Sequence, residues 1–345
     1  MFFTFTPLAQ RRLNRFKANT RGVISLWIFC ALFAISLLSE VIANNKPLLV
    51  SYNENFYVPF LTSYPETTFG GDFTTEADYH DPFLQEKIAQ NGWVLWAPIR
   101  FSYNTIDYDL EQPAPAPPSA THWLGTDDQG RDVVARLLYG FRLSVLFGLA
   151  LTLISSVIGV VAGAVQGFFG GLTDLIFQRV IEIWSGLPTL YILIILASFV
   201  TPTFGWLLFI MVLFSWMNLV GVVRAEFLKA RNYDFVRAAK ALGVPNYILM
   251  YRHILPNAMV ATLTFLPFIL NGAIITLTAL DFLGFGLPAS SPSLGDIVAQ
   301  GKANLQAPWL GIAAFLTLAI LLSTLIFIGE AVRDAVDTRR YTDRT

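Results

Sequence analysis

The sequence predicts an all-α membrane protein with six transmembrane helices and an acidic insertion after the first. Three observations carry that expectation. Of 345 residues, 54% are hydrophobic and only 14% charged, with a mean hydropathy of +0.56. Soluble domains carry about 25% charged residues. The apolar residues gather into six long segments, and about 20 residues at 1.5 Å each cross a hydrocarbon layer. The polar segments between them alternate between basic and non-basic, the pattern that orients membrane helices. The single cysteine, Cys30, lies in the first apolar segment, so no intrachain disulfide is possible.

Residues 1–21 carry Arg11, Arg12, Arg15, Lys17 and Arg21 and no acid, which reads as a cytoplasmic tail. Residues 22–43 are the first crossing. They end in Ser39-Glu40-Val41-Ile42-Ala43 without a small-x-small cleavage site, so the segment reads as a retained anchor. Residues 44–141 are then expected outside. Within them, residues 44–120 hold ten acidic residues against three basic ones and close in EQPAPAPPSA, an extended linker. This stretch is either a small folded unit or partly irregular. His80 between Asp78 and Asp81 reads as a solvated histidine, the commoner state of a lone His among surface acids.

Residues 142–335 are expected to hold the other five crossings. The second, 143–167, contains Gly159 and Gly163 in a GxxxG pair suited to close packing, most simply within the chain. The third, 174–199, contains Asp174, Arg179, Glu182 and Pro188. Arg179 and Glu182 are three apart and can pair; Pro188 can kink the helix. After a Thr201–Gly205 turn come a fourth crossing at 204–223, a fifth at 258–282 and a sixth at 309–330, opened by Pro308 and Trp309. The mixed-charge tail 336–345 is expected inside.

The most informative polar stretch is the loop 224–257. It carries Arg224, Lys229, Arg231, Arg237, Lys240 and Arg252 against Glu226 and Asp234, and is expected to be cytoplasmic. Phe235, Ala238, Ala239 and Leu242 fall at i, i+3, i+4 and i+7, one face of a short helix. Gly243 can end that helix with a left-handed cap, and Pro245 can start a second one reaching about His253, before Pro256. A solvated loop needs none of this patterning. A helix lying flat at a membrane surface and fitting a partner's groove needs all of it.

This loop resembles the EAA coupling loop of bacterial ABC importer permeases. It reads Arg237-Ala238-Ala239, Gly243, then His253-Ile254-Leu255-Pro256 at the family spacing, with Arg in place of the family Glu and His in place of Ile. Those departures, with the HILPN ending, look like the oligopeptide/dipeptide subfamily. The resemblance makes Asp234, Phe235, Arg237, Ala238, Ala239, Leu242, Gly243, Leu255 and Pro256 the expected ATPase-docking residues.

A second stretch, His122 to Arg142, is similar to the subfamily's HPLGTD…GRDV…R-L-x-Y-G-x-R signature. Thr126 or Asp127 is expected to cap a helix, with Leu124, Val133, Leu137 and Leu138 on an apolar face. By resemblance, Gly125, Thr126, Asp127, Gly130, Arg131 and Asp132 are expected to contact a periplasmic binding protein. The segment DFLGFGLPASSPSLGDIVAQG resembles the subfamily's outer loop, with Leu294-Gly295 where the family has Trp-Gly. Together these motifs imply the C-type permease subunit of an oligopeptide/dipeptide importer, with the type I ABC importer fold. The implied setting is the bacterial inner membrane, both termini cytoplasmic and membrane lipid around the helices. The implied partners are a second homologous permease subunit, two cytosolic ATPase domains and a periplasmic peptide-binding protein, with no nucleic acid. No cofactor is expected on the chain itself, since ATP is used by the partners. By analogy, the long insertion suggests a modified-peptide cargo such as the peptide antibiotic microcin C.

The chain carries no ATP-binding loop signature: Gly295 to Gly301-Lys302 is one residue too long and Ala303 stands where Ser or Thr is required. It has no HExxH, and His80, His122 and His253 lie in different segments, so no enzyme is expected. The rival readings are an ion-coupled secondary transporter, which needs carboxylates near the membrane midplane, and an ABC permease for a non-peptide cargo.

Overall fold

The computed structural model describes residues 7–200 and 202–336. The 337–345 part of the C-terminal tail and Thr201 of the expected turn lie outside the described residues. Among the described residues, fifteen α-helices and three short strands follow one another, and most of those residues are helical.

The basic tail forms α1 (Pro7–Ala18), and Asn19 caps α2 (Thr20–Leu37) by accepting a hydrogen bond from Gly22 N at 3.1 Å. α2 is the first apolar span. It stops at Leu38, short of the expected Ala43, and a separate turn α3 (Ser39–Ile42) follows.

The insertion is folded, which corrects the all-α expectation locally. β1 (Leu49–Tyr52), β2 (Asn55–Tyr57) and β3 (Gly92–Leu95) form an antiparallel sheet in the order β2-β1-β3. Asn53 and Glu54 both adopt positive φ, which makes the two-residue turn that matches strand twist. α4 (Pro82–Asn91), capped by Asp81, lays Leu84 and Ile88 on a small core with Val50, Phe69 and Tyr79. Length and composition alone hid this unit, because its strands are only three or four residues long.

α5 (Val133–Phe169) is the longest helix, 37 residues, roughly 55 Å at 1.5 Å per residue. Residues 133–142, expected outside a separate crossing, are its first turns. Its cap is Asp132, whose carboxylate accepts from Ala135 N at 2.8 Å, not Thr126 or Asp127. Val133 and Leu137 are buried as expected, but Leu124 is exposed and precedes the helix. Gly159, Gly163 and Gly167 face the backbone of α9 in the same chain: a Cβ on each would come within 2.5–2.7 Å of the carbonyl oxygens of Trp216, Val220 and Arg224.

The third apolar segment is broken, not merely kinked. α6 (Gly171–Ser185) and α7 (Thr189–Ser198) meet at 72° across Gly186-Leu187-Pro188, where proline can neither donate nor sit under a preceding carbonyl. The Arg179–Glu182 pair forms on the exposed side of α6. α8 (Phe204–Ser215) and α9 (Met217–Ala230) run on as one span of 27 residues, past the expected end at 223.

The polar loop then forms α10 (Asp234–Ala241) and α11 (Asn246–Ile248), and a wide π turn over Leu249–Ile254 leads into α12 (Leu255–Leu263). The expected stop before Pro256 does not occur. Pro256 sits in the first turn of α12, directly after the π turn and within one helical run, Asn246–Leu263; a widened turn of this kind accommodates a residue that lacks an N–H. α13 (Leu266–Phe282) starts at a second break, bent by 54°, with Pro267 in its first turn. The fifth segment is therefore also two helices. α14 (Leu294–Ala303) and the long α15 (Pro308–Val336) complete the fold.

Four helices are long and apolar enough to cross a membrane, or up to six spans if each bent pair counts as one. The main core joins Val133, Phe141 and Val145 of α5 to Ile274, Leu294, Ile297, Leu310 and Leu321. A second cluster fills the space between α5, α7, α8 and α13 around Phe147, Leu207 and Leu277. A third, at the far end of α5, holds Ala164, Phe227, Val236 and Ile254. α5 thus links two ends of the molecule that carry different surfaces.

Candidate functional site: an outward-facing helix at one end and a buried ionic latch at the other

At the C-terminal end of α5, the sequence builds a short, rigid, outward-facing helix. Asp234 occupies the first turn of α10, where a carboxylate favours the positive helix end, and Lys240 occupies the last turn. Gly243 has φ +82°. Its N–H donates to Lys240 O and the Val244 N–H donates to Ala239 O, both at 3.1 Å, which closes the helix with a Schellman cap.

One side chain roots α10: Val236 is 2% exposed and packs with Phe227 and Ile254. The opposite face is largely uncovered among the described residues, apart from the ring of Tyr233 beside Phe235. Phe235, Ala238 and Leu242 are exposed, Leu242 by 85%, and Ala239 is half-buried. Arg237 is exposed, Leu255 packs at the edge of the Val236 cluster, and Pro256 is exposed at the loop's end. Of the nine expected docking residues, Asp234, Phe235, Arg237, Ala238, Leu242, Gly243 and Pro256 are exposed, and Ala239 and Leu255 are half-buried.

The base beneath α10 is cationic and firmly tied. Arg231 donates from Nη1 to Gly167 O and Phe168 O, each at 3.3 Å. A cavity of about 640 Å³ lined by Arg231, Arg237 and Lys240 separates α10 from the end of α5. Arg224 binds Asp174 and so holds α6 to the same base.

At the other end, the 122–132 loop is a buried ionic latch. Gly125, Thr126, Asp127, Gly130, Arg131 and Asp132 are all buried. Those six positions are turned inward in this chain; Trp123, Leu124, Asp128 and Gln129 are the exposed positions there. The reason lies in their bonding. Thr126 Oγ1 accepts from Ala116 N at 2.8 Å. Asp127 accepts from Arg131 Nε at 2.7 Å and also faces Arg136 at 3.4 Å. Arg136, fully buried, donates to Asp296 of α14 at 2.7 Å, and Gln300 binds both Asp296 and Asp128 N. The 122–142 and 283–307 segments therefore interlock.

His122, 2% exposed, bridges two carboxylates: Asp132 at 2.8 Å through Nδ1 and Asp107 at 3.0 Å through Nε2. Burial alone would lower the pKa of this imidazole, but the hydrogen bonds to Asp132 and Asp107 outweigh it and the pKa is raised. Asp132 uses its other oxygen to cap α5. The latch thus fastens the insertion to the first turn of α5. Leu294, in place of the family Trp, is fully buried against Gly140.

Sequence reasoning missed Asp107, Asp296 and Gln300, and passed over Arg136 and His122 within a motif it had read as a surface. A charged residue in an amphipathic first turn was the available signal. The pairing itself spans 160 residues in the case of Arg136 and Asp296, beyond any local pattern. The Asp78-His80-Asp81 group holds its own turns: Asp78 accepts from His80 N and Asp81 from Phe83 N, each at 2.9 Å.

Comparison with known proteins agrees with the sequence motifs. The family model described as binding-protein-dependent transport system inner membrane component matches residues 138–341. The chain is 62% identical over 335 residues to the inner membrane ABC transporter permease protein YejE of Escherichia coli (strain K12), covering 97% of this chain and 98% of that protein. It is 56% identical over 360 residues to the peptidoglycan transport system permease protein YejE of Agrobacterium fabrum, covering 97% and 94%. It is 35% identical over 243 residues to the oligopeptide transport system permease protein OppC of Lactococcus lactis (strain IL1403), covering 69% and 83%.

Proposed function

The chain belongs to the family of binding-protein-dependent transport system inner membrane components, and on that premise we propose that it is the permease subunit of an ATP-driven importer of peptides or peptide-like compounds. The observation that carries the docking step is the α10 surface. A helix rooted by Val236 and closed at Gly243 leaves Phe235, Ala238 and Leu242 exposed among the described residues. That face suits a groove on a separate ATPase, and Arg237 and Lys240 beside it suit an acidic rim.

The ATPase domains bind and hydrolyse ATP, and this subunit has no such site of its own. Their closure pushes α10 as a rigid body. The push reaches α5 and α9 through Val236, Arg231 and the close Gly159–Gly163–Gly167 contact. A second homologous permease completes the membrane unit. The apolar α6–α7 segment supports that pairing, since α6 has no buried side chain within this chain.

Both termini lie in the cytoplasm and the insertion lies outside, with each bent helix pair counted as one crossing. The five cations of residues 1–21 and the ten acids of 44–120 support this orientation. A periplasmic binding protein delivers cargo to the latch end, meeting Trp123, Leu124, Asp128 and Gln129 and not the buried residues around them.

The test is reconstitution. Proteoliposomes containing this chain, the second permease and the ATPase, supplied with the binding protein, should accumulate labelled tripeptide when ATP is inside the ATPase compartment. A muropeptide arm covers the cargo for which the Agrobacterium relative is named. Uptake should survive a proton uncoupler. Uptake abolished by the uncoupler at unchanged ATP would overturn the proposal in favour of ion coupling.

A further inference from the structure

The insertion contains a cavity of about 680 Å³ between the start of α4 and the 101–109 segment, within the roughly 300–1,000 Å³ range of small-ligand sites. Carboxylates from Glu76, Asp78, Asp81, Asp107 and Asp109 line it against one ammonium, Lys46. Lys46 is already committed to Glu76, and that hydrogen bond holds the Glu76 carboxyl below its ordinary range. The positive end of α4 is likewise taken up, by the Asp81 cap.

A second feature is independent of the acids. Tyr79 and His80 also line the cavity, and His80 stands between Trp96 and Phe101 with ring centroids 5.1 and 5.9 Å away. Tyr79 is 3% exposed, yet its hydroxyl has no hydrogen-bond partner among the described residues, and neither does the buried His80 Nε2. Both atoms can accept hydrogen bonds. The cavity therefore combines net negative charge, two unpartnered acceptors in its wall and the exposed ring of Tyr108.

We infer that this cavity is a recognition site for a protonated amine or guanidinium carried by a polypeptide. Lysine offers three donors and arginine five, which matches a wall of acceptors. Both also gain from lying on an aromatic face, which the exposed Tyr108 in the cavity wall offers, and among the described residues no three acidic, His or Cys groups are placed to hold a metal ion. The site does not depend on the direction of transport, so its failure would leave the import proposal standing. The cation belongs either to a basic peptide free in the compartment or to the surface of the binding protein.

The test uses the full chain in lipid nanodiscs with two probes: fluorescent acetyl-trilysine amide and the system's purified binding protein. Asp109→Lys and the milder Asp109→Asn alter the cavity without touching the His122 bridge; Asp72→Lys is an insertion acid that does not line it. Variants are compared at matched melting temperature. The expected result is a loss of affinity of about tenfold for at least one probe with Asp109→Lys, a smaller loss with Asp109→Asn, and a change within about twofold with Asp72→Lys. A trilysine response identifies a free peptide as the source; a response confined to the binding protein identifies its surface. The inference is overturned if neither probe binds the unaltered chain, if Asp109→Lys binds both as well as the unaltered chain, or if Asp72→Lys weakens binding equally.

Discussion

Arg224 of α9 donates two hydrogen bonds to Asp174 of α6, at 2.5 and 2.7 Å. A two-pronged contact fixes orientation as well as distance. It matters because no side chain of α6 is buried within the chain. Asp174→Asn keeps an acceptor but removes the charge, and Arg224→Gln shortens the reach. Each should lower the stability of the purified assembly by about 1–2 kcal/mol, less than a fully buried charged pair. The double variant should lose less than the sum of the two, read as a thermal-melt double-mutant cycle. Strict additivity would mean that the pair contributes nothing as a pair.

The glycine face of α5 should tolerate no side chain. A Cβ on Gly163 would lie 2.7 Å from Val220 O and 2.8 Å from Val223 Cβ, and the oxygen is backbone that cannot swing away. Gly163→Ala should cost about 1–3 kcal/mol, and Gly163→Val more, seen as lower melting temperature and lower membrane levels. Gly221→Ala, where no atom lies within 4 Å of the added Cβ, should be mild. Equal behaviour of the two alanine variants would show that the close contact does not form.

His122 should make the latch pH-dependent. Its pKa is raised in the folded chain by the hydrogen bonds to Asp132 and Asp107 against the opposing effect of burial. The protonated form is therefore favoured by folding. Its stabilisation is complete below the unfolded value of about 6.5 and is lost as pH rises from there through the folded value. The protection factors of the first turns of α5, taken relative to the intrinsic base-catalysed exchange rate, should fall across that window, and His122→Gln should flatten the response. Protection that rises with pH would reverse the sign and remove the bridge.

The insertion should divide into a removable part and an essential part. Leu49 and Leu95 face each other across β1 and β3, so residues 50–94 can be replaced by a two-residue turn. Membrane levels of that variant should stay near normal, because Ile99 still packs on Ala43, Ala135 and Tyr139. Deleting 97–111 removes both Ile99 and Asp107, and should reduce levels sharply on an immunoblot of membranes. The opposite ranking would mean that the small sheet, not the latch, holds the insertion in place.

The legible features were those written in local pattern. Apolar runs located every long helix, and Ala238-Ala239 with Gly243 located α10 and its left-handed cap. Pro188 marked a kink, where the structure has a 72° break. Pro256 misled because the π turn before it lets the helical run continue. The small sheet was hidden by strand brevity. The 122–132 motif was found but misread: its charges looked like a surface because their partners, Asp107 and Asp296, lie in other segments. Burial of a charge is decided by such partners, and no spacing within one motif reports them.

The docking role of α10 is tested most directly by disulfide crosslinking to the ATPase in inverted membrane vesicles. Cys30 is the only native cysteine, so a Cys30→Ser background leaves introduced thiols alone. Ala238→Cys and Leu242→Cys are compared with Val236→Cys, whose side chain is buried against Phe227, each opposite a cysteine scan of the ATPase surface. The expected result is efficient crosslinking from positions 238 and 242, changing with bound nucleotide, and little from 236. Absence of crosslinks from 238 and 242 throughout the scan, with the complex still assembled, would contradict a docking role for this helix.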